Sequence, residues 1–242
     1  MTIYIPEKDE IHPEAIELLR KAGIKIKYEI EDYAQIEALF IRTYTVVDKK
    51  YLDQFPHLKY ILRAGVGLDN IDIGECRRRN IKVFNSPGAN ANAVAEYVVG
   101  LMIMMMRNIL PQMNRLKKGE WRDKLYMGEE IKGKTIGIVG CGVIGKLVTK
   151  KLLNFEVKEI LGYDPYLTEK QLLDHSIKKV SLDELVSSSD ITSLHLPLTD
   201  ETKNLFNISK LRLIKKGSYI INTSRGGIIN ETDLITAINK GW

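Results

Sequence analysis

The chain has 242 residues, 44% of them hydrophobic and 28% charged, which is typical of a soluble globular protein with one large or two modest domains. Its two cysteines exclude a disulfide framework and neither has metal-ligand spacing with the four histidines, so we expect a cytoplasmic protein without a metal site. The net charge of +5 permits anionic partners, but the densest basic run, residues 77–79, has no interleaved aromatic residues and predicts no nucleic-acid interface.

Short apolar runs alternate with helical patterns in the first third of the chain. Residues 13–22 carry apolar residues at helical spacing and end at Gly23, a residue type that commonly follows a helix. Such alternation predicts βα units around a parallel sheet. The hinge-like segment S-P-G-A-N begins at Ser86, so we predict one domain over residues 1–87 and a second over residues 88–242. The predicted strands of the first domain are residues 3–5, 24–28, 38–41, 60–62 and 83–84.

The most apolar stretch is residues 93–106. It is too short to span a bilayer and contains Glu96, so it predicts a helix buried on most sides, in part against a second subunit, and no membrane association. A polar segment follows through Lys124.

Residues 134–145 read K-T-I-G-I-V-G-C-G-V-I-G, an apolar run followed by a G-x-G-x-x-G turn. Gly140 lets the chain turn off a strand, Gly142 lets the backbone approach a pyrophosphate, and Gly145 lets the next helix pack close to the strand. The helix N-terminus offers N–H groups to phosphates. We interpret this motif as a dinucleotide site; the alternative is a tight structural turn.

An acid follows the second apolar run. Asp164 stands 19 positions after Gly145 and is expected to accept hydrogen bonds from the adenine-side ribose hydroxyls. A 2′-phosphate beside this carboxylate would cost roughly 4 kcal/mol at an effective dielectric of about 20. No arginine stands nearby to bind that phosphate, so NAD is favoured over NADP. The alternative is a turn residue before Pro165.

Beyond Asp164 the βα alternation resumes. Thr168 with Gln171, and Ser181 with Glu184, have capping-box spacing and predict helix starts. Two further strands are predicted at residues 191–194 and 219–221, and a last helix near Asn230.

Four further sequence blocks surround the glycine motif. They are R-A-G-V-G-L-D-N-I-D at residues 63–72, N-S-P-G-A-N-A-N-A-V-A-E at 85–96, S-L-H-L-P-L-T at 193–199 and K-K-G-S-Y-I-I-N-T-S-R-G-G at 215–227. In this order around the glycine motif, the blocks resemble the D-isomer-specific 2-hydroxyacid dehydrogenases. The segment Y-M-G-E-E at residues 126–130, ahead of Gly133, is most similar to the 3-phosphoglycerate dehydrogenases of that family.

The resemblance implies an α/β fold with a Rossmann-type NAD domain and a smaller flavodoxin-like substrate (lid) domain, both with parallel sheets. It implies an active site in the cleft between them and a homodimer joined through the NAD domains. The reaction would be hydride transfer between nicotinamide and C2 of a small anionic D-2-hydroxy or 2-keto acid. We expect 3-phosphoglycerate, oxidised to 3-phosphohydroxypyruvate in serine biosynthesis. The alternatives are a glyoxylate or hydroxypyruvate reductase and a non-catalytic NAD-sensing binding protein.

The substrate residues come from three matches to family motifs. Arg225 follows a predicted strand and matches the arginine that holds the substrate carboxylate and C2 oxygen, a catalytic role. Val66 and Gly67 match the lid loop whose N–H groups hold the carboxylate, and Arg42 matches an arginine that reaches the substrate phosphate. The alternative for Arg225 is an arginine that ties down a loop. For the loop at residues 66–67 the alternative is a strand-exit turn, and for Arg42 it is a surface arginine. The triplet at residues 65–67 is not a second dinucleotide motif, because Asn70 occupies the position of the third glycine.

The resemblance also extends the cofactor site. It places Val143 and Ile144 at the pyrophosphate. His195 falls beside the cofactor, which argues against a role in proton transfer. The residues expected to line the adenosine and nicotinamide ribose region are His195, Leu196, Pro197, Thr223 and Ser224.

The chain departs from the family pattern at its end. The family's general-base His and its Glu partner lie beyond the helix near Asn230, and this sequence stops at Trp242. We therefore expect weak NAD binding and little or no turnover from this chain alone, which would be a fragment or a natural truncation. The strand at residues 219–221 would then be a bare apolar edge.

Overall fold

The computed structural model describes residues 1–121 and 127–242, which form two compact units, Met1–Asn90 and Ala91–Trp242. The predicted domain boundary after residue 87 lies in the turn that ends the first unit. Both units contain a parallel five-stranded sheet, so the predicted α/β class is confirmed.

The first unit is built around the sheet order β2-β1-β3-β4-β5, which is the flavodoxin-like order. The N-cap of its first helix is His12, whose side chain accepts the Glu14 N–H, and Gly23 follows that helix with a φ of +72°. Its helices are α1 (Pro13–Lys21), α2 (Lys49–Leu52) and α3 (Ile73–Arg78). Its strands are β1 (Thr2–Tyr4), β2 (Lys25–Lys27), β3 (Ala38–Ile41), β4 (Tyr60–Arg63) and β5 (Lys82–Phe84).

The second unit has the sheet order β10-β9-β6-β7-β8. Read from β8, the strands of this sheet are the third, second, first, fourth and fifth of the unit in chain order, as in a Rossmann sheet. The chain leaves β6 towards β7 and later returns to β9 on the other side of β6, so the topological switch lies between β6 and β9. Its strands are β6 (Thr135–Val139), β7 (Glu159–Tyr163), β8 (Lys178–Lys179), β9 (Ile191–Leu194) and β10 (Tyr219–Asn222).

Local sequence signals set several helix starts in this unit. Thr168 and Gln171 form both halves of the predicted capping box, and Ser181 accepts the Glu184 N–H. Asn230 caps the last helix by accepting the Asp233 N–H at 3.0 Å. The helices are α4 (Ala91–Met106), α5 (Ile109–Lys117), α6 (Val143–Leu152), α7 (Glu169–Leu173), α8 (Leu182–Ser188), α9 (Ile208–Leu213) and α10 (Glu231–Asn239).

Two expectations for residues 91–121 were incomplete. Helix α4 buries one face, with Ala95, Val98 and Met102 fully inaccessible, but Tyr97 is 63% exposed. The stretch predicted to be only a polar segment contains α5. In the described part of the chain no single helix passes the length and composition test for a membrane span; α4 and α5 pass it only as a pair bent by 66°.

Candidate functional site

The glycine loop leaves β6 at a position where only glycine fits. Gly140 has a φ of +89°, and a Cβ added to it would lie 2.5 Å from the carbonyl oxygen of His195. A Cβ on Gly145 would lie 2.4 Å from the carbonyl oxygen of Gly140. The chain therefore turns off β6 at Gly140, and the first turn of α6 packs against the end of β6 at Gly145. These are the tasks predicted for the two glycines.

Gly142 faces open space. A Cβ added there would meet no atom within 4 Å, and the next residue, Val143, is 63% exposed. Gly142 is also the N-cap of α6, whose first N–H groups have no partner within the helix. The motif therefore presents an open surface with N–H donors at the end of a ten-residue helix, the arrangement that anions favour.

Asp164, at the end of β7, holds the glycine loop in place. Its side chain is largely buried; Oδ2 accepts the Cys141 N–H at 3.0 Å, and Oδ1 accepts the Tyr166 N–H at 3.0 Å. The second bond forms a turn through Pro165, so the turn role is real. Since each carboxylate oxygen has two lone pairs, these bonds leave acceptor capacity for ribose hydroxyls.

His195 follows β9 and is a weak base. Burial lowers the pKa of its imidazole to about 4, and its Nε2 lies 3.0 Å from Oγ of the buried Ser193. A neutral ring at physiological pH is suited to a neutral hydrogen bond and is a poor proton acceptor. Leu196 packs beside Gly140, and the carbonyl of Pro197 accepts the Thr202 hydroxyl at 2.6 Å.

The segment after β10 is organised by Asn222, which sequence reasoning missed. Its Oδ1 accepts the N–H and the hydroxyl of Ser224 at 3.1 and 2.7 Å, and its Nδ2 donates to the Arg225 carbonyl at 2.8 Å. The guanidinium of Arg225 donates to the Ser224 carbonyl at 2.8 Å. The signal for Asn222 was available, because Asn two residues before Ser after a strand is typical of an Asx turn.

Thr223 carries a buried hydroxyl oxygen with no hydrogen-bond partner among the described residues. An unsatisfied buried hydroxyl is unfavourable and calls for a ligand partner or an explanation. Thr223 directly follows β10, whose neighbour in the sheet is β9.

The strand register brings four of these segments to one edge. Val139 pairs with both Tyr163 and Leu194, and Leu194 pairs with Asn222. The segments that begin at Gly140, Asp164, His195 and Thr223 therefore leave adjacent parallel strands at their carboxyl ends. This edge, at the switch between β6 and β9, is where open α/β sheets bind ligands. The open face at Gly142 and the unsatisfied Thr223 hydroxyl fit a dinucleotide laid along it.

The first unit contains the predicted Arg42, and a clamp fixes its loop. The carboxylate of Glu7 accepts the N–H groups of Arg42, Tyr44 and Thr45. From the other side, Nδ2 of Asn70 donates to the Arg42 and Thr45 carbonyls at 3.0 and 2.7 Å. Sequence reasoning missed both clamp residues, since Glu7 and Asn70 lie 35 and 28 positions from Arg42.

The side chain of Arg42 is engaged with Glu10. Its Nη1 donates to the Glu10 carbonyl at 2.8 Å and lies 3.7 Å from the Glu10 carboxylate. A phosphate held by Arg42 would compete with this ion pair, which is 42–46% exposed and therefore weak.

The loop after β4 has Arg63 folded over a glycine. A Cβ on Gly65 would lie 1.3 Å from Nη1 of Arg63, so a larger residue there would require the Arg63 guanidinium to move. The Val66 carbonyl accepts Nδ2 of Asn85 at 2.7 Å, and Val66 is 38% exposed. Arg42, Val66 and Gly67 belong to the first unit and the other predicted site residues to the second. Tyr126, part of the 3-phosphoglycerate dehydrogenase resemblance, lies outside the described residues.

Comparison with known proteins identifies the family of the chain. Residues 99–242 match the family described as D-isomer specific 2-hydroxyacid dehydrogenase, NAD binding domain. The chain belongs to this family. The family match confirms NAD as the cofactor of the second unit.

Individual relatives differ in substrate. The chain is 37% identical to a D-3-phosphoglycerate dehydrogenase of Archaeoglobus fulgidus, over 96% of this chain and 46% of the relative. It is 41% identical to a hydroxypyruvate reductase of Thermotoga maritima, over 86% of this chain and 66% of the relative. A solved D-lactate dehydrogenase of Aquifex aeolicus, complexed with NAD and lactic acid, is similar over 100% of this chain and 74% of that one, with a TM-score of 0.86 and 28% identity. The chain thus spans about half the length of the Archaeoglobus relative.

Proposed function

We propose that the protein is an NAD-dependent oxidoreductase that transfers hydride between nicotinamide and C2 of a D-2-hydroxy acid. The observation that carries this is the carboxyl edge of the second sheet, where the open Gly142, Asp164 and the unsatisfied Thr223 hydroxyl lie in the segments that follow β6, β7 and β10. Bound NAD would supply the ring that accepts or donates the hydride.

Arg225 is proposed to bind the substrate carboxylate and the C2 oxygen. It leaves β10 in a segment fixed by Asn222, and a guanidinium can hold a carboxylate through two parallel hydrogen bonds. It would also stabilise negative charge that develops on the C2 oxygen. The proposed contribution of the first unit is the N–H groups of Val66 and Gly67.

The favoured substrate is 3-phosphoglycerate. Support comes from the 37% identical Archaeoglobus relative and from Arg42, whose clamped loop offers a cation for a phosphate. Hydroxypyruvate or glyoxylate reduction is the second candidate. The 41% identical Thermotoga relative favours it, as does the pairing of Arg42 with Glu10, because a substrate without phosphate leaves that pair intact.

The test is an assay of the complete gene product with 3-phosphoglycerate and NAD, and with hydroxypyruvate or glyoxylate and NADH. We expect the protein to oxidise 3-phosphoglycerate. We expect Arg225→Lys to reduce this activity strongly, because lysine cannot make the bidentate contact. Arg42→Gln should raise the KM for the phosphorylated acid and leave the KM for hydroxypyruvate unchanged. Strong glyoxylate reduction without phosphoglycerate activity would favour the second candidate, and no turnover of any acid would contradict both.

We further propose a homodimer joined through the second unit and a cytoplasmic location. The dimer is supported by apolar side chains on α4 and α5 that are exposed in the monomer, among them Tyr97 and Leu110. The location is supported by both cysteines being free and buried.

A further inference from the structure

One hydrogen bond joins the two loops on either side of the glycine loop. The hydroxyl of Tyr166, in the loop after β7, donates to Oε2 of Glu201, in the loop after β9, at 3.2 Å. Strand β6 lies between β7 and β9 in the sheet, so the two partners flank the segment that follows β6. This position is the adenosine end of the site, because Asp164 is only two residues before Tyr166.

Both ends of this link are held by local structure. The Tyr166 N–H donates to Oδ1 of Asp164 at 3.0 Å. Glu201 lies in a turn closed by the Lys203 N–H to the Thr199 carbonyl at 2.8 Å, and by the Thr202 hydroxyl to the Pro197 carbonyl at 2.6 Å. The link therefore connects Asp164, through one tyrosine, to a second carboxylate on the opposite loop.

The charge at this end is unfavourable to another anion. Asp164 and Glu201 each carry a negative charge, and hydrogen bonding to Glu201 raises the pKa of Tyr166, so its hydroxyl stays a neutral donor. A neighbouring cation, Lys179, donates to the Leu167 carbonyl in the same loop. NADP differs from NAD by a 2′-phosphate on the adenine-side ribose, which Asp164 is expected to face.

We propose that Glu201 is a second determinant of cofactor selectivity, held by Tyr166 so that its carboxylate joins that of Asp164 in excluding the 2′-phosphate of NADP. This inference rests on NAD binding by the second unit and on no substrate. The selectivity of this site then does not reside in Asp164 alone. At low ionic strength, where screening is weak, a carboxylate placed about 8 Å from a doubly charged phosphate in a water-like dielectric would account for a factor of about five in affinity.

The test is a titration of the purified protein with NADH and with NADPH in a buffer of low ionic strength, followed by cofactor fluorescence. Glu201→Gln keeps the shape and an acceptor for Tyr166 but removes the charge. It should tighten NADPH binding about fivefold and change NADH binding less than twofold. Tyr166→Phe keeps both charges; it should weaken NADH binding moderately and loosen the exclusion of NADPH by a smaller factor than Glu201→Gln.

Glu156→Gln is the matched control. Glu156 is an exposed carboxylate that pairs with Lys132 at 2.6 Å and precedes β7, at the opposite edge of the sheet. Glu156→Gln changes the net charge by the same amount as Glu201→Gln, but it should leave the ratio of the NADH and NADPH affinities unchanged. If Glu201→Gln shifts that ratio no more than Glu156→Gln, the role of Glu201 is wrong although NAD binding stands. If the wild type binds neither cofactor, the cofactor site and this inference both fail.

Discussion

Asp164 accepts the N–H of Cys141 at 3.0 Å, so the residue predicted to hold the ribose also holds the phosphate loop. In the proposed cofactor site, one carboxylate would thus couple the ribose contact to the phosphate loop. The thiol of Cys141 is buried behind this contact, and burial raises its pKa to about 12, so it stays a neutral packing group. We therefore expect cofactor selectivity and loop geometry to change together when Asp164 is substituted.

The first prediction follows from this double role. Asp164→Ala should lower the free energy of unfolding by roughly 1–3 kcal/mol, because it leaves the Cys141 and Tyr166 N–H groups without their acceptor. It should also weaken NADH binding. Urea unfolding and NADH titration measure the two effects, with the exposed Asp174→Ala as control. Full stability in Asp164→Ala would show that water replaces the carboxylate at no cost.

Substitutions at two glycines of the motif should have different effects, one on stability and the other on cofactor binding. Gly140→Ala should destabilise the protein by at least about 1–3 kcal/mol, since it combines a strained φ with a Cβ 2.5 Å from the His195 carbonyl. Gly142→Val should fold normally, because its side chain meets open space, yet lose NADH binding because it fills the cofactor's approach. Thermal unfolding and NADH titration of both variants separate these outcomes. Normal NADH binding by Gly142→Val would contradict the assigned phosphate path.

Features that depend on residues close in the sequence were predicted, whereas features that depend on distant residues were missed. The tasks of Gly140 and Gly145 follow from local backbone rules and were predicted, as were the helix caps at Thr168 and Asn230. The clamp of Glu7 on the Arg42 loop was missed, because its partners lie 35 or more positions away and no local pattern marks them. Strand β8 was missed because two residues give no periodicity.

Thr223 gives the third prediction. Thr223→Val keeps the shape of the side chain and removes a buried hydroxyl oxygen that has no partner among residues 1–121 and 127–242. Stability should therefore be unchanged or slightly higher, whereas NADH affinity should fall about threefold to tenfold through loss of one hydrogen bond. Thr149→Val is a matched control: its hydroxyl oxygen is also unsatisfied in the described structure, but it lies in α6 away from the strand ends. Equal NADH affinity in both variants would argue against contact between Thr223 and the cofactor.

The overlooked helix α5 gives the fourth prediction. Leu110, Met113 and Leu116 follow the helical spacing i, i+3, i+6 and are 49–54% exposed, which forms an apolar stripe in the monomer. If this stripe is the proposed dimer contact, Leu116→Lys should shift the protein to monomers with unchanged NADH binding. Analytical ultracentrifugation measures the change. Leu173→Lys, an equally drastic change at an exposed leucine in α7, should leave the dimer intact. A wild-type monomer at all concentrations would reject the dimer.

The last prediction concerns the pH dependence of stability. Burial lowers the pKa of His195 to about 4 in the folded state, whereas an unfolded histidine titrates near 6.5. Above pH 6.5 the ring is neutral in both states and has no effect. Between pH 6.5 and about 4 only the unfolded chain takes up the proton, so stability falls as the pH falls, by up to about 3 kcal/mol. His195→Asn should lose less stability than the wild type between neutral pH and the lower end of this window. The exposed His12→Asn should follow the wild type, and identical acid sensitivity in all three proteins would show that His195 takes up a proton without unfolding.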